Sequence, residues 1–219
     1  MFRVNDFMTR NPITVGPDEK ISAVIDLMKF NKIHRIPVVD SKDKLVGLIT
    51  EGMIAADNTA TSLSIYELNY LLSKTEARTV MVKHPIAVNQ NSLMEQAADK
   101  LLAHDIGCLP VVDDDNKVVG ILTQNDIFRA FLDMLAWNKK GSRLVIRVPE
   151  GLGILGKVTS LFANEGISIN SINVYELNDS AAEILIKTKG SIGKEKAEEI
   201  LGKEGFTLLS FEDVEPKNL

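Results

Sequence analysis

From residue 8 to about residue 138 the apolar positions follow two rhythms in turn. Ile21, Val24, Ile25 and Met28 stand at i, i+3, i+4 and i+7, one face of a helix. Two β-rich runs follow, IPVVD at 36–40 and LVGLIT at 45–50, joined by the polar turn SKDK. The succession then returns. Met94, Ala97, Ala98, Leu101 and Leu102 make a second helical face, and LPVVD and VVGILT are joined by DDNK. Asp and Asn suit such turns because their side chains bond their own backbone. Ile127, Phe128, Phe131, Leu132 and Leu135 mark a closing helix. A short extended piece around Pro12, and again around Pro85, comes first, so each unit reads strand, helix, strand, strand, helix.

This is a duplication. MTRNPITV (8–15), IHRIPVVD (33–40) and KLVGLIT (44–50) recur as MVKHPIAV, IGCLPVVD and KVVGILT, always 73 residues on. Residues 8–54 share 15 identities in 47 positions with their counterparts. Two such units are expected to pack about a pseudo-twofold axis, each covering a face that the other leaves open. Between them, Ser64-Ile-Tyr-Glu67 has the form of a capping box ahead of Leu68, Leu71 and Leu72, which predicts a connecting helix. Ser92-Leu-Met-Glu95 predicts a second box at the start of the next helix. The expected boundaries are 1–60 for the first unit, 61–76 for the connecting helix and 77–138 for the second unit.

Asn138-Lys-Lys-Gly141-Ser142 breaks the pattern and reads as a helix stop and linker. Beyond it Leu144, Ile146 and Val148 alternate with Arg143, Val145 and Arg147, a half-buried strand. After the loop PEGLG, Leu155, Val158, Leu161 and Phe162 mark a helix closed by Gly166. Residues 167–176 read as extended and Asn178-Asp179 as a turn. Ala182, Ile184 and Ile186 alternate as a strand. Ala197, Ile200 and Leu201 suggest a short helix, and 206–211 a last strand. The order βαββαβ over 142–214 is ferredoxin-like, and the expected class of the whole chain is α+β.

Composition excludes more than it names. The chain has 219 residues and a net charge of −5 with no long basic run, which argues against a nucleic-acid binder. One cysteine forms neither an internal disulfide nor a Cys-rich zinc site. The three histidines lack a second histidine at ligand spacing, and no P-loop or G-x-G-x-x-G is present. No catalytic residue, metal or cofactor is therefore expected. No apolar run approaches the roughly 18 residues of a membrane span. The first residues lack a secretory apolar region, so the expected compartment is the cytoplasm.

Most of the legible chemistry lies in Thr123-Gln-Asn-Asp126. On spacing alone Thr123 is a helix N-cap with an acid three residues on, a capping-box variant. The same geometry suits a ligand. Free N–H groups at a helix start attract phosphate, and a carboxylate accepts from both hydroxyls of a diol. The counterpart in the first repeat is Thr50-Glu-Gly-Met53. Methionine cannot hold a diol, so one competent site is expected, and Glu51, displaced by two positions, is expected to point elsewhere.

The recurring M-x-x-x-P-I-x-V, I-x-x-x-P-V-V-D and V-G-[LI]-[IL]-T blocks resemble a pair of CBS motifs, often called a Bateman module. RLVIRVPEGLGILGKVTSLFANEGISINSINV and its βαββαβ order resemble an ACT domain. Gly151-Leu152-Gly153 stands where that family usually carries an Asp and a Pro-Gly. The module order and the insert ELNYLLSK resemble the acetoin-utilisation AcuB-type family. The resemblance implies a regulatory protein, not an enzyme, that takes an adenosine-containing ligand (AMP, ADP, ATP or S-adenosylmethionine) in a cleft between the motifs. It implies a composite site of Ile121, Thr123 and Asp126 with Thr9, Ile13, Thr14, Ile33 and His34. Ile13 and Ile33 would flank a base, or equally be plain core. Arg35, beside His34, would meet phosphate or lie on the surface, and its counterpart pair Gly107-Cys108 supplies no charge. Cys108 itself reads as a small buried hydrophobe. For the ACT part the resemblance implies an amino-acid or small-metabolite effector near Gly151, Leu152, Gly153 and Asn170, with Asn164 and Ser171 close. The glycines also suit a tight strand-to-helix turn. The implied partners are a second copy of the chain and an unidentified target enzyme or transporter, with no nucleic acid and no membrane. The rival expectation is a ligand-free assembly module that acts on a partner enzyme through dimer contacts.

Overall fold

The computed structural model describes residues 2–54, 65–178 and 181–216. The chain divides into two compact units, Met1–Ala130 and Phe131–Leu219, and the division falls inside one helix. The first half of the duplicated region comprises α1 (Val4–Phe7), β1 (Thr9–Arg10), α2 (Ile21–Asn31), β2 (Arg35–Val39) and β3 (Leu45–Thr50), with residues 51–54 helical. Then come α3 (Ile65–Lys74), α4 (Ala77–Val80), β4 (Val82–Lys83), β5 (Val88–Asn89), α5 (Met94–Ala103), β6 (Cys108–Val112), β7 (Val118–Thr123) and α6 (Gln124–Met134). The connecting helix forms as α3, while its predicted cap, Ser64, lies outside the described residues. The predicted box at Ser92 is corrected by one position. Ser92 is held in the preceding turn, where its N–H donates to the Asn89 carbonyl and its own carbonyl accepts from Val4 N–H. Leu93 becomes the N-cap, and its N–H donates to Gln96 Oε1 at 2.9 Å.

The strand that opens each repeat leaves its own repeat. β1 pairs antiparallel with β7, with Thr9 opposite Ile121 and Arg10 opposite Gly120. Seventy-three residues later β4 pairs with β3 in the same way, with Val82 opposite Leu48 and Lys83 opposite Gly47. The sheets β1-β7-β6-β5 and β2-β3-β4 are therefore each built from both repeats. Glycine is required where the exchanged strands cross. A Cβ on Gly120 would run into the Met8 side chain, and one on Gly47 into the Met81 side chain. The hairpin turns also meet across the pseudo-axis: Leu45 N–H donates to the Asn116 carbonyl at 3.0 Å and Val118 N–H to the Asp43 carbonyl at 3.1 Å. Each repeat keeps its own core. Ile21, Val24, Met28, Ile36, Val38 and Ile49 fill one, and their counterparts Met94, Ala97, Leu101, Leu109, Val111 and Leu122 fill the other.

The second unit contains β8 (Gly141–Pro149), α7 (Ile154–Asn164), β9 (Ile169–Asn178), β10 (Ala181–Thr188), α8 (Lys194–Gly202) and β11 (Thr207–Val214). Its antiparallel sheet runs β11-β8-β10-β9, the arrangement expected of a ferredoxin-like βαββαβ chain. Leu144, Ile146, Ile184 and Ile186 on one face pack with Val158 and Phe162 of α7 and Ala197 and Leu201 of α8. Gly141, read as linker from sequence, opens the strand instead. Its φ of +147° and the nearness of the Thr188 carbonyl exclude a side chain there. Gly166 closes α7 at φ +69°, and Ile167 N–H returns to the Phe162 carbonyl at 2.9 Å. The expected turn at Asn178-Asp179 reaches beyond the described residues. Among the described residues no helix is long and apolar enough to cross a membrane.

Candidate functional site

The chain turns from β7 into α6 at Thr123, so four backbone N–H groups there lack helical partners. Asp126 answers one of them. Its Oδ2 accepts from Thr123 N–H at 2.7 Å and from the Thr123 hydroxyl at 2.8 Å, and its Oδ1 faces the Arg129 guanidinium one turn on. The carboxylate is only 2% exposed. The capping-box variant is thus present, and it also fixes Thr123 in place. The exchanged strand brings Thr9 next to this corner, opposite Ile121. Ile13 and Thr14 are half-buried between β1 and Val15, whose backbone bridges to Val38. Ile33 is half-buried against the first repeat's core.

His34 and Glu51 depart from expectation. The pseudo-symmetric cleft at Met53 is a cavity of about 580 Å³, lined among others by His34, Arg35, Thr50, Glu51 and Cys108. Glu51 does not point elsewhere. Its N–H donates to the His34 carbonyl, and its Oε2 lies 2.5 Å from His34 Nδ1. His34, expected at the Asp126 corner, is therefore held by its ring at the opposite cleft. Arg35 reaches across to Cys108. Burial pushes the Cys108 thiol above its ordinary value, and Arg35 offsets this only in part. The thiol stays protonated near neutrality and is no activated nucleophile.

In the second unit Gly153, at φ +81°, makes the turn into α7. Asn170 donates from Nδ2 to the Thr188 carbonyl at 3.3 Å, and Ser171 donates from Oγ to the Leu135 carbonyl at 3.1 Å. The register separates the expected effector residues. Pro149, just before the glycine loop, pairs with Ala181, whereas Ile169, just before Asn170, pairs with Thr188. Within one chain Gly151, Leu152 and Gly153 lie at one end of the sheet and Asn170 at the other. Among the described residues no group of three His, Cys, Asp or Glu is placed to hold a metal.

Two α/β repeats that trade strands, each with a helix that starts directly after its last strand, define a tandem motif pair. The CBS domain model matches residues 4–56 and 77–133, and the chain belongs to that family. It is 31% identical over 144 residues to inosine-5'-monophosphate dehydrogenase of Methanocaldococcus jannaschii, a match over 65% of this chain but 26% of that enzyme. It is 31% identical over 154 residues to the chloroplastic CBS domain protein CBSX2 of Arabidopsis thaliana, covering 61% of this chain and 65% of the relative. The chain thus spans about a quarter of the first relative and just under two thirds of the second. Among solved structures, CBSX2 in complex with AMP aligns with a TM-score of 0.53 at 33% identity, over 61% of this chain and 99% of that one. The CBS pair of protein MJ0100 with 5'-methylthioadenosine and S-adenosyl-L-methionine aligns at 0.51 and 29% identity, over 60% and 96%. A structure assigned to acetoin utilization (AcuB) in Vibrio cholerae aligns at 0.52 and 29% identity, over 62% and 94%.

The Met53 cavity is not legible in the sequence because its walls come from separate segments of both repeats, His34-Arg35 and Thr50–Met53 from one and His84–Ile86 and Asp105–Cys108 from the other. Nor is the burial of Lys187 legible. The alternation in AAEILIKT assigns that side chain to the face away from the helices, and nothing in the pattern announces that residues 131–137 cover it.

Proposed function

We propose that this chain is a regulatory protein whose CBS pair takes an adenosine-containing ligand at the Asp126 cleft. The observation that carries this is the strand exchange, which sets Thr9 and Ile121 side by side next to the helix start fixed by Thr123 and Asp126. In this reading a ribose diol displaces Arg129 from the carboxylate, phosphate meets the free N–H groups of α6, and Ile13 and Ile33 flank the base. The AMP bound to CBSX2 and the adenosyl ligands of MJ0100 support the ligand class. CBS pairs generally regulate rather than catalyse, and the chain would act on a separate enzyme or transporter. The AcuB likeness favours a role in acetoin utilisation. The second unit would serve as an ACT-type sensor and a homodimer contact. Gly151–Gly153 and Asn170 would share an amino-acid effector only when a second copy brings the opposite ends together.

A thermal-shift panel of AMP, ADP, ATP, S-adenosylmethionine and amino acids on wild type and Asp126→Ala tests the reading. A ligand at a hundred times its Kd adds about 2.7 kcal/mol of apparent stability. The expected result is a shift with one adenosyl ligand that disappears in Asp126→Ala. A second location is favoured by the cavity at Met53, whose volume of about 580 Å³ suits a small ligand. There Arg35 would bind phosphate, and the shift would survive Asp126→Ala but vanish in Arg35→Ala. No adenosyl shift in any of the proteins would overturn both locations and leave Asp126 as a helix cap in an assembly module.

A further inference from the structure

The sheet of the second unit has a face turned away from α7 and α8, and Arg143, Lys187 and Ser171 lie on it as neighbours in register. The chain just ahead of that sheet covers part of this face. Ala136, at φ +52°, ends the helical stretch, and Trp137 N–H returns to the Leu132 carbonyl at 3.0 Å. Phe131, Leu132, Leu135 and Trp137 then enclose, with Arg143 and Lys187, a cavity of about 180 Å³. A dry cavity of roughly 150 Å³ is large enough for benzene.

The charges in this cavity are unusual. Lys187 is 1% exposed. Its ammonium has three donors, and one of them goes to the Gly141 carbonyl at 2.8 Å. Arg143 lies over the Trp137 ring, 6.0 Å from its centre. Among the described residues neither cation has a carboxylate within ion-pair distance. Burial draws the Lys187 ammonium below its ordinary value, the carboxylates of Glu212 and Asp213 on β11 hold it up, and Arg143 pushes it further down. One register step along the same face, the buried Nδ2 of Asn173 has no acceptor. Two cations in the wall of a small apolar cavity ask for an anion with acceptor oxygens and an apolar body.

We propose that this cavity binds a small carboxylate with a branched or aromatic tail and no α-ammonium group, its carboxylate between Lys187 and Arg143 and its tail against Trp137. The site is separate from the adenosyl cleft and from the Gly151–Gly153 loop. An amino acid is disfavoured because its ammonium would meet the same two cations.

Trp137 is the only tryptophan of the chain, so its emission reports this cavity alone. The full-length protein is titrated with phenylacetate, 3-methylbutanoate, phenylacetamide and phenylalanine. A saturable emission change with at least one of the two acids is expected, with the amide and the amino acid weaker by about tenfold or more, a loss of about 1.4 kcal/mol. Arg143→Gln and Lys187→Met should each weaken the acid by a similar factor, and Asp126→Ala should leave it unchanged. The proposal is overturned if neither acid gives a saturable change, or if phenylacetamide binds as well as phenylacetate. Unaltered acid affinity in Arg143→Gln also overturns it. The comparison of acid with amide on wild type, and the half-buried variant Arg143→Gln, keep the test decisive whatever Lys187→Met does to the fold.

Discussion

Gly120 explains at the scale of one residue why separate blocks of the repeat travel together. The methionine that opens one block packs on the glycine of another, Met8 on Gly120 and Met81 on Gly47, so neither position is free to change alone. Added volume in a packed core costs about 1–3 kcal/mol. Gly120→Ala is therefore expected to lower stability by about 1–2 kcal/mol in urea denaturation, because Met8 must move and the Thr9 carbonyl is also close. Gly120→Ala combined with Met8→Ala should cost less than the sum of the two single changes, the mark of residues in contact. Additive costs would place the strain elsewhere. The sequence displayed these identities plainly, yet their cause lies in a strand crossing between the two repeats, which periodicity does not encode. Asp126 was legible for the opposite reason, since its contacts to Thr123 are local and follow from spacing alone.

Two elements of the second unit are tied by one acid. Glu165, just past α7, accepts from Lys196 of α8 at 2.6 Å and from Lys203 at its end. Lys196 first, and then Lys203, hold the Glu165 carboxyl down at about 2, against an ordinary value of 4.5. A lowered carboxylate stabilises the fold fully above 4.5, and the contribution is lost as the pH falls through about 2. Wild type should therefore be more stable than Glu165→Gln at pH 6, with the gap closing across that window. A gap that stays constant with pH would assign the effect to packing. On the other face of the same sheet, Lys187→Met should raise stability by about 1–2 kcal/mol, because it removes a buried charge that lacks a carboxylate. A loss would instead make the bond to Gly141 a structural tie. Alternation made the strands and the βαββαβ order of this unit legible. It also assigned Lys187 to the outer face, but the cover supplied by residues 131–137 depends on tertiary packing, and so the cavity was not visible.

The duplicated region carries an asymmetry at its helix starts that the exchange of strands sharpens. The backbone treats the repeats alike: Arg10 opposes Gly120 as Lys83 opposes Gly47, and Val15 bridges Val38 as Val88 pairs with Val111. Side chains break the symmetry at the helix starts, where Asp126 caps Thr123 but Met53 follows Thr50. If the carboxylate is what recognises the ribose, the backbone at the Met53 cleft should accept the same ligand once an acid is supplied. Met53→Asp is therefore expected to raise the number of adenosyl sites from one to two per chain in a calorimetric titration, the first site keeping its affinity. The existing partners sharpen the test. The introduced acid would have Thr50 three residues before it, as Asp126 has Thr123. Yet Glu51 already holds His34 in that cavity, so the added site should be the weaker of the two. Relieving that pair with Glu51→Gln should then strengthen the second site and leave the first alone. If Met53→Asp adds no site while Asp126→Ala abolishes the only one, the carboxylate is necessary but not sufficient. The distinction between the clefts would then lie in the residues that face each helix start from the other repeat, Thr9 and Ile13 on one side and Val82 and Ile86 on the other.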